Sequence, residues 1–350
     1  MTPARRRLET IMPVFQEQEL RDISAAILEG TGTPPDLARI VGDSLIDANL
    51  VGHDSHGVLR VPQYVEYMRA GVIVPDGRPQ VVARDRATAR IDGNLGWGQP
   101  GMLLATETAI ELAREHGVGA AVLDRGYHIG RVAPYVESAA RAGMVGIAMS
   151  NAGAAVAPYG GRDRVLGTNP FAWSMPRGEG QHPLSFDIAT AGIAEGKLRV
   201  AQSKNLPVAP GLIVDIDGQP TTNPDDFYAG GAILPFGGHK GNGLALLAQL
   251  LGHTLIGPRD GQRGANEATI IVLDVAAFGS LSGFTEELAT QCARICGSAP
   301  AEGFSEVILP GEAEQRTYAE RSVTGIAVPD SIWDSIIALA DELGITAPVH

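Results

Sequence analysis

Residues 101–150 read GMLLATETAIELAREHGVGAAVLDRGYHIGRVAPYVESAARAGMVGIAMS, and their hydrophobic pattern decides the fold class. Apolar residues at helical spacing predict helices over 101–116 and 131–142. Short apolar runs predict strands over Val118–Leu123 and Val145–Met149. Helices that alternate with apolar strands are typical of an α/β fold, in which the helices cover the faces of a sheet.

The flanking sequence predicts a helical region before this α/β body. Two amphipathic helices fit residues 16–50, and a third fits Leu59–Ala70. We therefore expect a helical N-terminal region over residues 1–75 and an α/β body over 76–350, with a cofactor-binding subdomain over about 118–310.

Further elements follow from the same periodicities. Strands are predicted near residues 80–83, 88–91, 171–174, 184–188, 212–215 and 268–273. Helices are predicted over residues 192–203, 241–256, 283–297, 312–321 and 331–343, the last with Ser331 and Asp334 as a capping box.

Composition limits the classes of function. In the 350 residues, 40 Asp and Glu oppose 27 Lys and Arg, and the formal net charge is −13. This charge argues against a nucleic-acid partner, because phosphate binding needs a positive surface, but a local basic pocket can still bind a small anion. Cys292 and Cys296 are four residues apart on a predicted helix, which favours a reducing compartment such as the cytoplasm over a disulfide framework.

The sequence predicts neither a signal peptide nor a membrane span. No apolar run follows the basic residues 5–7. The uncharged run 142–161 contains Pro158 and several glycines, and the apolar run 243–256 is shorter than the roughly 20 residues that a membrane helix needs. Both runs are predicted to be buried elements of the fold.

Residues 96–101 read GWGQPG and match the GxGxxG pattern of a dinucleotide-binding loop. The segment 87–92 before them alternates apolar with polar residues, whereas a central parallel strand is apolar throughout. Pro100 also removes a backbone N–H where a pyrophosphate needs donors. We therefore interpret the motif as a glycine-rich turn before a helix.

Residues 235–243 read PFGGHKGNG and form a better candidate for an anion site. The small residues let backbone N–H groups converge at the start of an apolar helix, and Lys240 adds a positive charge. Gly241 follows Lys240 where a Walker A loop needs Ser or Thr. The pattern fits either a phosphate-binding loop or a glycine-rich cap on a buried helix.

Residues 52–60 read GHDSHGVLR and place polar groups between two predicted helices. The spacing of His53 and His56 could suggest a metal site, but no further ligand cluster with matching spacing is visible, which favours a polar turn. Arg60 and Tyr64 share one helix face, and an arginine suits bidentate binding of a carboxylate. Substrate recognition is therefore the other functional interpretation.

His128 follows the predicted strand 118–123, and the carboxyl ends of strands are where α/β proteins place ligands. An imidazole suits proton exchange near neutral pH, although a single histidine is more often structural. Residues 168–170 and 185–190 place further polar groups at strand ends.

Together these motifs resemble, in kind and in order, those of the malate/L-lactate dehydrogenase-like type 2 oxidoreductases. That family also includes ureidoglycolate, sulfolactate and diketogulonate oxidoreductases and cyclic imino-acid reductases. The resemblance runs from about residue 50 to residue 312 and is carried by Asp54–Gly57, Arg60, Tyr64, His128–Gly130, Tyr159–Gly161, Gly167–Pro170, Phe186–Thr190, Gly196–Lys197, Gly237–Gly241 and Pro310–Glu312.

The resemblance implies an α/β (α+β) fold of a non-Rossmann NAD(P)-binding type, with a mixed sheet and a helical N-terminal region. It implies NAD or NADP as cofactor, a small carboxylate substrate, and a homodimer with the site near the subunit interface. The implied reaction is hydride transfer between nicotinamide and C2 of a 2-hydroxy or 2-oxo acid such as malate or lactate. Reduction of piperideine- or pyrroline-2-carboxylate, or oxidation of ureidoglycolate or a sugar acid, is the alternative.

The resemblance also implies roles for single residues. The substrate carboxylate would bind Arg60 with help from Tyr64, His128 would exchange the proton, and His56 would stabilise the substrate or the charge of the site. No metal is implied. The implied cofactor-binding residues are Asn169, Asp187, Ile188, Ala189, His239, Lys240, Gly241, Gly311 and Glu312.

Two hypotheses from other classes stay open. One is a metal hydrolase built on His53, Asp54 and His56. The other is a ligand-binding module without catalysis, built on the glycine loop around Lys240.

Overall fold

The computed structural model describes residues 12–257 and 266–348. The chain folds as two compact units, a smaller one that combines residues up to Gly71 with those from Glu314 onward and a larger one that comprises Val72–Ala313. The helices are α1 Glu17–Gly30, α2 Pro35–Leu50, α3 Arg60–Arg69, α4 Gly98–His116, α5 Ala133–Arg141, α6 Glu195–Ser203, α7 Pro224–Tyr228, α8 His239–Gln249, α9 Leu281–Cys296, α10 Glu312–Thr324 and α11 Asp330–Leu343. The strands are β1 Val14–Phe15, β2 Gln80–Asp85, β3 Thr88–Asp92, β4 Val118–Gly126, β5 Met144–Ser150, β6 Pro170–Met175, β7 Leu184–Ala189, β8 Ile213–Val214, β9 Pro220–Thr221, β10 Ala232–Ile233, β11 Asn266–Asp274 and β12 Ile326–Ala327.

The smaller unit is built on the packing of α1 against α2. A capping box between Gln16 and Glu19 opens α1, and Pro35 stands in the first turn of α2, where its fixed φ suits the helix. The apolar stripes of the two helices meet, so that Leu20 and Leu45 are fully buried. The helical N-terminal region therefore forms as its periodicity predicts.

The C-terminal segment completes this smaller unit. β1 pairs antiparallel with β12, and the ring of Phe15 lies 4.0 Å from that of Trp333 on α11, centroid to centroid. The sequence-based division had assigned residues 314–350 to the α/β body, whereas residues 314–348 belong with the N-terminal helices. The apolar stripe of α11 predicts a buried face, but a stripe does not identify the surface that covers it.

The core of the larger unit is a seven-stranded sheet in the order β2-β3-β4-β11-β5-β6-β7. β3 and β4 run parallel, and the other neighbouring pairs are antiparallel. α4 and α5 pack on this sheet over a fully buried core that includes Ala121, Val136 and Ile270. The predicted α/β class with a mixed sheet is confirmed, and the sheet differs from the mostly parallel sheet of a Rossmann domain.

A second, three-stranded sheet in the order β10-β8-β9 lies in the same unit. Its core includes Ile213, Phe227 and Ile233, with Leu198 of α6. α8 then continues as a π-helical turn, Leu250–Thr254, so the predicted helix 241–256 begins earlier and changes its type near its end.

The three glycines of the GxGxxG motif are closed in by protein. A Cβ on Gly98 would stand 2.7 Å from the carbonyl of His128 and closer still to that of Tyr127. A Cβ on Gly101 would stand 2.7 Å from the side chain of Leu123, and one on Gly96 would meet the backbone of Gly77. The interpretation as a glycine-rich turn is confirmed, because these glycines let protein elements approach each other.

Two smaller predictions have different outcomes. The capping box at Ser331 was wrong, because α11 begins at Asp330 with Pro329 in the N-cap position. Within residues 12–257 and 266–348, no helix has both the length and the apolar composition that crossing a bilayer requires.

The close packing of Gly98 gives a stability prediction. We expect Gly98→Ala to lower the free energy of unfolding by about 1–3 kcal/mol, because the new methyl group overlaps backbone that cannot move aside. Alanine has a higher helix propensity than glycine, so a decrease in the free energy of unfolding can be attributed to the steric overlap. Chemical denaturation measures it.

Gly243→Ala is the matched control, because Gly243 also lies in a helix and has no heavy atom within 4 Å of its Cβ position. It should be neutral or slightly stabilising. A Gly98→Ala variant with unchanged stability and impaired dinucleotide binding would show instead that the loop contacts a ligand.

Candidate active site

The turn between α2 and α3 is held by a buried amide. Asn49, at 3% exposure, accepts a hydrogen bond from the backbone N–H of Val58 at 2.7 Å and donates one to the carboxylate of Asp54 at 2.6 Å. Gly57 passes so close to the Asn49 amide that any Cβ there would overlap it. The conformation of residues 54–58 is therefore set by one side chain of the preceding helix.

Asp54 is neutralised from the far end of the chain. Both terminal nitrogens of Arg321 donate to its carboxylate, at 2.6 and 3.1 Å, and Arg321 also donates to the carbonyl of Asn49. The hydrogen bond with Asp54 raises the pKa of Arg321 above its ordinary value, so this guanidinium keeps its charge across the pH range in which proteins stay folded. The ion pair therefore connects this turn to α10, which carries Arg321.

The metal hydrolase hypothesis gains no support from this turn. His53 lies 3.4 Å from Glu314, Asp54 is held by Arg321, and His56 contacts Ser55. Among the described residues, no three His, Cys, Asp or Glu side chains are grouped so that they could hold a metal ion. The polar groups of the turn contact different partners rather than one centre.

Ser55 links the imidazole and the guanidinium of this turn. Its hydroxyl lies 3.0 Å from Nδ1 of His56, and its carbonyl accepts a hydrogen bond from Nε of Arg60 at 2.7 Å. Gln63 accepts a second hydrogen bond from Arg60 at 2.7 Å. Tyr64, one helical turn after Arg60, is buried in the unit, with 1% of its surface exposed.

The segment that carries His128 joins two elements of the larger unit. It follows β4 and leads into α5, and the hydroxyl of Tyr135 donates to the carbonyl of Ile129. Asp187 on β7 accepts hydrogen bonds from the backbone N–H groups of Val132 and Ala133, at 2.9 and 2.8 Å. A carboxylate at the start of a helix satisfies amides that have no partner within the helix.

Ile188 and Ala189 follow Asp187 on β7 and are half-buried. The segment around Gly311 and Glu312 lies beside the same strand. Gly311 has φ +87°, and its Cβ position is 3.1 Å from the carbonyl of Ser185, so only a glycine fits there without strain. The side chain of Glu312 accepts a hydrogen bond from the N–H of Leu309.

Asn169 has a structural part in the larger unit. It is fully buried, and its side chain accepts a hydrogen bond from the N–H of Ala152 while donating to the carbonyl of Ala245 and to Gln249. These contacts join the start of β6 to α8. The predicted contact of Asn169 with a cofactor stays a prediction.

The glycine loop opens α8 as expected. Gly238 takes the N-cap position with φ +62°, and His239 and Lys240 are exposed in the first turn. Gly241 packs on the carbonyl of Phe236 and leaves no room for a Cβ. The loop thus presents a helix start together with a lysine and an imidazole.

A cleft of about 480 Å³ adjoins this loop, within the range of small-molecule sites. Gly160, Gly211 and Gly237 line it, and each has open space where a Cβ would stand. Backbone without side chains allows a ligand to approach closely. The cleft is lined by Tyr159, Gly160, Gly161, Gly192, Gly211, Leu212, Gly218, Leu234, Pro235, Phe236, Gly237 and Gly238.

The predicted site residues thus form two groups, one in each unit. The smaller unit contains His56, Arg60 and Tyr64, together with the hydrolase candidates His53 and Asp54. The larger unit contains all the other predicted site residues. No role is predicted from the sequence for Asn49, Ser55 or Arg321. Ser55 lies within the motif 52–60 and Asn49 lies three residues before it, but no local signal points to Arg321.

Comparisons with known proteins identify the family of this chain. The family model for malate/L-lactate dehydrogenase matches residues 15–337. L-sulfolactate dehydrogenase of Methanocaldococcus jannaschii is 36% identical over 341 residues, which cover 95% of this chain and 98% of the relative. Delta(1)-pyrroline-2-carboxylate/delta(1)-piperideine-2-carboxylate reductase of Pseudomonas putida is 33% identical over 323 residues, or 89% of this chain and 92% of the relative.

The solved structures agree with the sequence match. The structure of sulfolactate dehydrogenase from Methanocaldococcus jannaschii superposes with a TM-score of 0.88 at 34% identity and covers 96% of this chain and 98% of that one. This chain belongs to the malate/L-lactate dehydrogenase family. It is an oxidoreductase, and its family implies a nicotinamide cofactor.

The contact between Asp187 and the start of α5 yields a two-variant prediction. We expect Asp187→Ala to lower the free energy of unfolding by about 0.5–2 kcal/mol, because two helix-start amides lose their acceptor. Asp187→Asn keeps an acceptor oxygen and should retain most of the stability. Urea denaturation measures both variants.

Titration of the two variants with reduced cofactor separates the roles of Asp187. If the carboxylate also contributes to the cofactor site, Asp187→Asn should bind cofactor more weakly at nearly wild-type stability. Equal stability of Asp187→Ala and the wild type would show that the hydrogen bonds to α5 contribute nothing.

Proposed function

We propose that this enzyme transfers a hydride between nicotinamide and C2 of a small 2-hydroxy or 2-oxo acid such as malate or lactate. The observation that carries the proposal is the link through Ser55, whose hydroxyl contacts the His56 imidazole and whose carbonyl accepts a hydrogen bond from the Arg60 guanidinium. A 2-oxo acid has its carboxylate directly attached to the carbon that accepts hydride. One group for the carboxylate and one for the oxygen of C2 must therefore be neighbours.

Arg60 is proposed to bind the substrate carboxylate. Its described hydrogen bonds use Nε and Nη1, toward Ser55 and Gln63, and they fix the plane of the guanidinium. Within the described part of the chain, neither of these bonds uses Nη2, which is available for a carboxylate oxygen. A planar, oriented guanidinium is the group that best matches a carboxylate.

His56 is proposed to exchange the proton with the oxygen on C2. A general acid or base needs a ring held in one orientation, and the Ser55 hydroxyl at Nδ1 provides that orientation. The proton would then pass at Nε2. The sequence assigned this role to His128, which belongs to the larger unit with Asp187, and that assignment stays the competing prediction.

The larger unit is proposed to hold NAD or NADP, which when bound supplies or accepts the hydride. Three glycines with open Cβ positions line the cleft beside α8 and fit a dinucleotide lying along the backbone. Lys240 and the first amides of α8 suit its phosphates. Asp187, Ile188 and Ala189 are proposed to line the nicotinamide side.

A second candidate substrate class is the cyclic imine carboxylates, which the relative from Pseudomonas putida is named for. In such a substrate a carboxylate is again attached to the carbon that accepts hydride. The proposed role of Arg60 is the same for both classes, and His56 would protonate nitrogen instead of oxygen. Ureidoglycolate and sugar acids are the further alternatives that the resemblance implies.

We also propose a homodimer in the cytoplasm. The family resemblance supports the dimer, and the two cysteines, Cys292 and Cys296, are free, as suits a reducing compartment.

A spectrophotometric screen tests the function. We expect the wild type to oxidise NADH or NADPH in the presence of one member of a panel of 2-oxo acids and cyclic imine carboxylates. Arg60→Ala should raise KM for that substrate about 10- to 100-fold, because a charged hydrogen bond is lost, while Kd for the reduced cofactor stays unchanged. The KM of Arg60→Lys should lie between those of the wild type and Arg60→Ala, because lysine restores the positive charge without the planar guanidinium.

Two outcomes of this screen would contradict the proposal. Tight nucleotide binding without turnover on any member of the panel would favour the binding module around Lys240. An unchanged KM in Arg60→Ala would place the carboxylate elsewhere.

A pair of histidine variants identifies the proton donor. We expect His56→Ala to lower kcat by about 10²- to 10⁴-fold and to remove one limb of the pH–rate profile, as loss of a general acid does. Ser55→Ala keeps the imidazole and should cause a smaller loss, because the ring is less well oriented. Folding is checked by circular dichroism.

His128→Ala is the matched comparison. It should retain more activity than His56→Ala and keep the shape of the pH profile. The reverse order of losses would assign proton exchange to His128.

A further inference from the structure

Tyr159 stands out on the wall of the glycine-lined cleft. It lines that cleft, yet 63% of its surface is exposed. Most of its neighbours along the wall are glycines, which contribute no side chain. Among the five lining residues that carry a side chain, Tyr159 alone is exposed.

The exposed ring is held in place by its surroundings. Its backbone N–H donates to the side chain of Asn242 on α8 at 2.9 Å. The imidazole of His239 meets the ring edge-on, with the centroids 5.9 Å apart. A Cβ on Gly238 would stand 3.3 Å from the ring, which is closer than most such contacts. The backbone of Tyr159 is thus fixed by Asn242, and its ring is oriented by His239 while the backbone of Gly238 passes beside it.

An exposed aromatic ring contributes little to folding, because its apolar surface stays in water. A ring that is nevertheless oriented is suited to stacking, in which a flat partner gains contact without ordering the protein first. Its position next to the start of α8 adds a restriction on the partner. The ligand that lies on Tyr159 should also place phosphate within reach of the helix start and Lys240.

We propose that Tyr159 is the stacking platform for the adenine ring of the nicotinamide cofactor. This inference rests on the proposed function, in which Lys240 and the first amides of α8 hold the cofactor phosphates. Adenine is planar and polarisable, and it is joined to the diphosphate through a single ribose. Open glycine backbone on the same wall lets the ring and the ribose approach closely.

Equilibrium binding tests the platform. We expect Tyr159→Ala to raise Kd for NADH and NADPH about tenfold, in line with the loss of one base–aromatic stack. Tyr159→Phe keeps the ring and should bind within about twofold of the wild type. Tyr159→Leu keeps apolar bulk without the ring and should behave like the alanine variant. Fluorescence titration of the reduced cofactor gives these constants.

Binding of two fragments of the cofactor shows which part of it contacts Tyr159. ADP-ribose should compete with reduced cofactor in the wild type and about tenfold more weakly in Tyr159→Ala. Reduced nicotinamide mononucleotide, which lacks adenine, should bind both proteins equally. Failure of ADP-ribose to compete in the wild type, or equal competition in both proteins, would overturn the platform.

The mass of each variant in solution is a further readout. A change of oligomeric state in Tyr159→Ala would show that the ring belongs to an interface between copies of this chain, and the proposal would fail. A wild type that binds neither NADH nor NADPH would instead overturn the proposed function itself. Binding of both by the wild type, with Tyr159→Ala unaffected, would overturn the platform alone.

Discussion

The proposed chemistry in the smaller unit depends on the buried amide of Asn49. Its oxygen accepts the N–H of Val58 and its nitrogen donates to Asp54, so a single side chain fixes both ends of the turn that presents His56. Gly57 is required because the chain passes directly against that amide. A turn without this support would leave the imidazole and the guanidinium of Arg60 free to separate, and their common contact with Ser55 would be lost.

Glycine serves two opposite purposes in the larger unit. In the GxGxxG segment, Gly98 and Gly101 have protein atoms at their Cβ positions, so the missing side chains let α4 approach the end of β4. Along the cleft, Gly160 and Gly237 have open space at the same position. Both segments are rich in glycine in the sequence, and only the second leaves room for a ligand. A glycine-rich motif alone therefore does not distinguish a turn packed against protein from a wall with room for a ligand.

Most helices and strands of the fold could be predicted from the sequence, because each follows from a local hydrophobic period. The partners of these elements could not be predicted in this way. The face of α11 that carries Trp333 was visible as a stripe, but its contact with Phe15 depends on the whole chain. The same holds for the candidate site. The motif with His56 and Arg60 is local and visible in the sequence, whereas Arg321 contacts Asp54 across 267 residues of sequence. The contacts of Asn169 with Ala245 and Gln249 on α8 likewise depend on the whole chain and could not be predicted from its motif.

The ion pair of Asp54 with Arg321 has an electrostatic consequence for substrate binding. The chain carries a formal net charge of −13, so a bound carboxylate must overcome a generally negative surface. An uncompensated Asp54 in the same short turn would compete with the substrate for the guanidinium of Arg60 and would raise the cost of bringing a second carboxylate nearby. Arg321 removes that competition by engaging both oxygens of Asp54. In the proposed mechanism the positive charge of Arg60 is then left for the substrate, because a different arginine balances the acid of the turn.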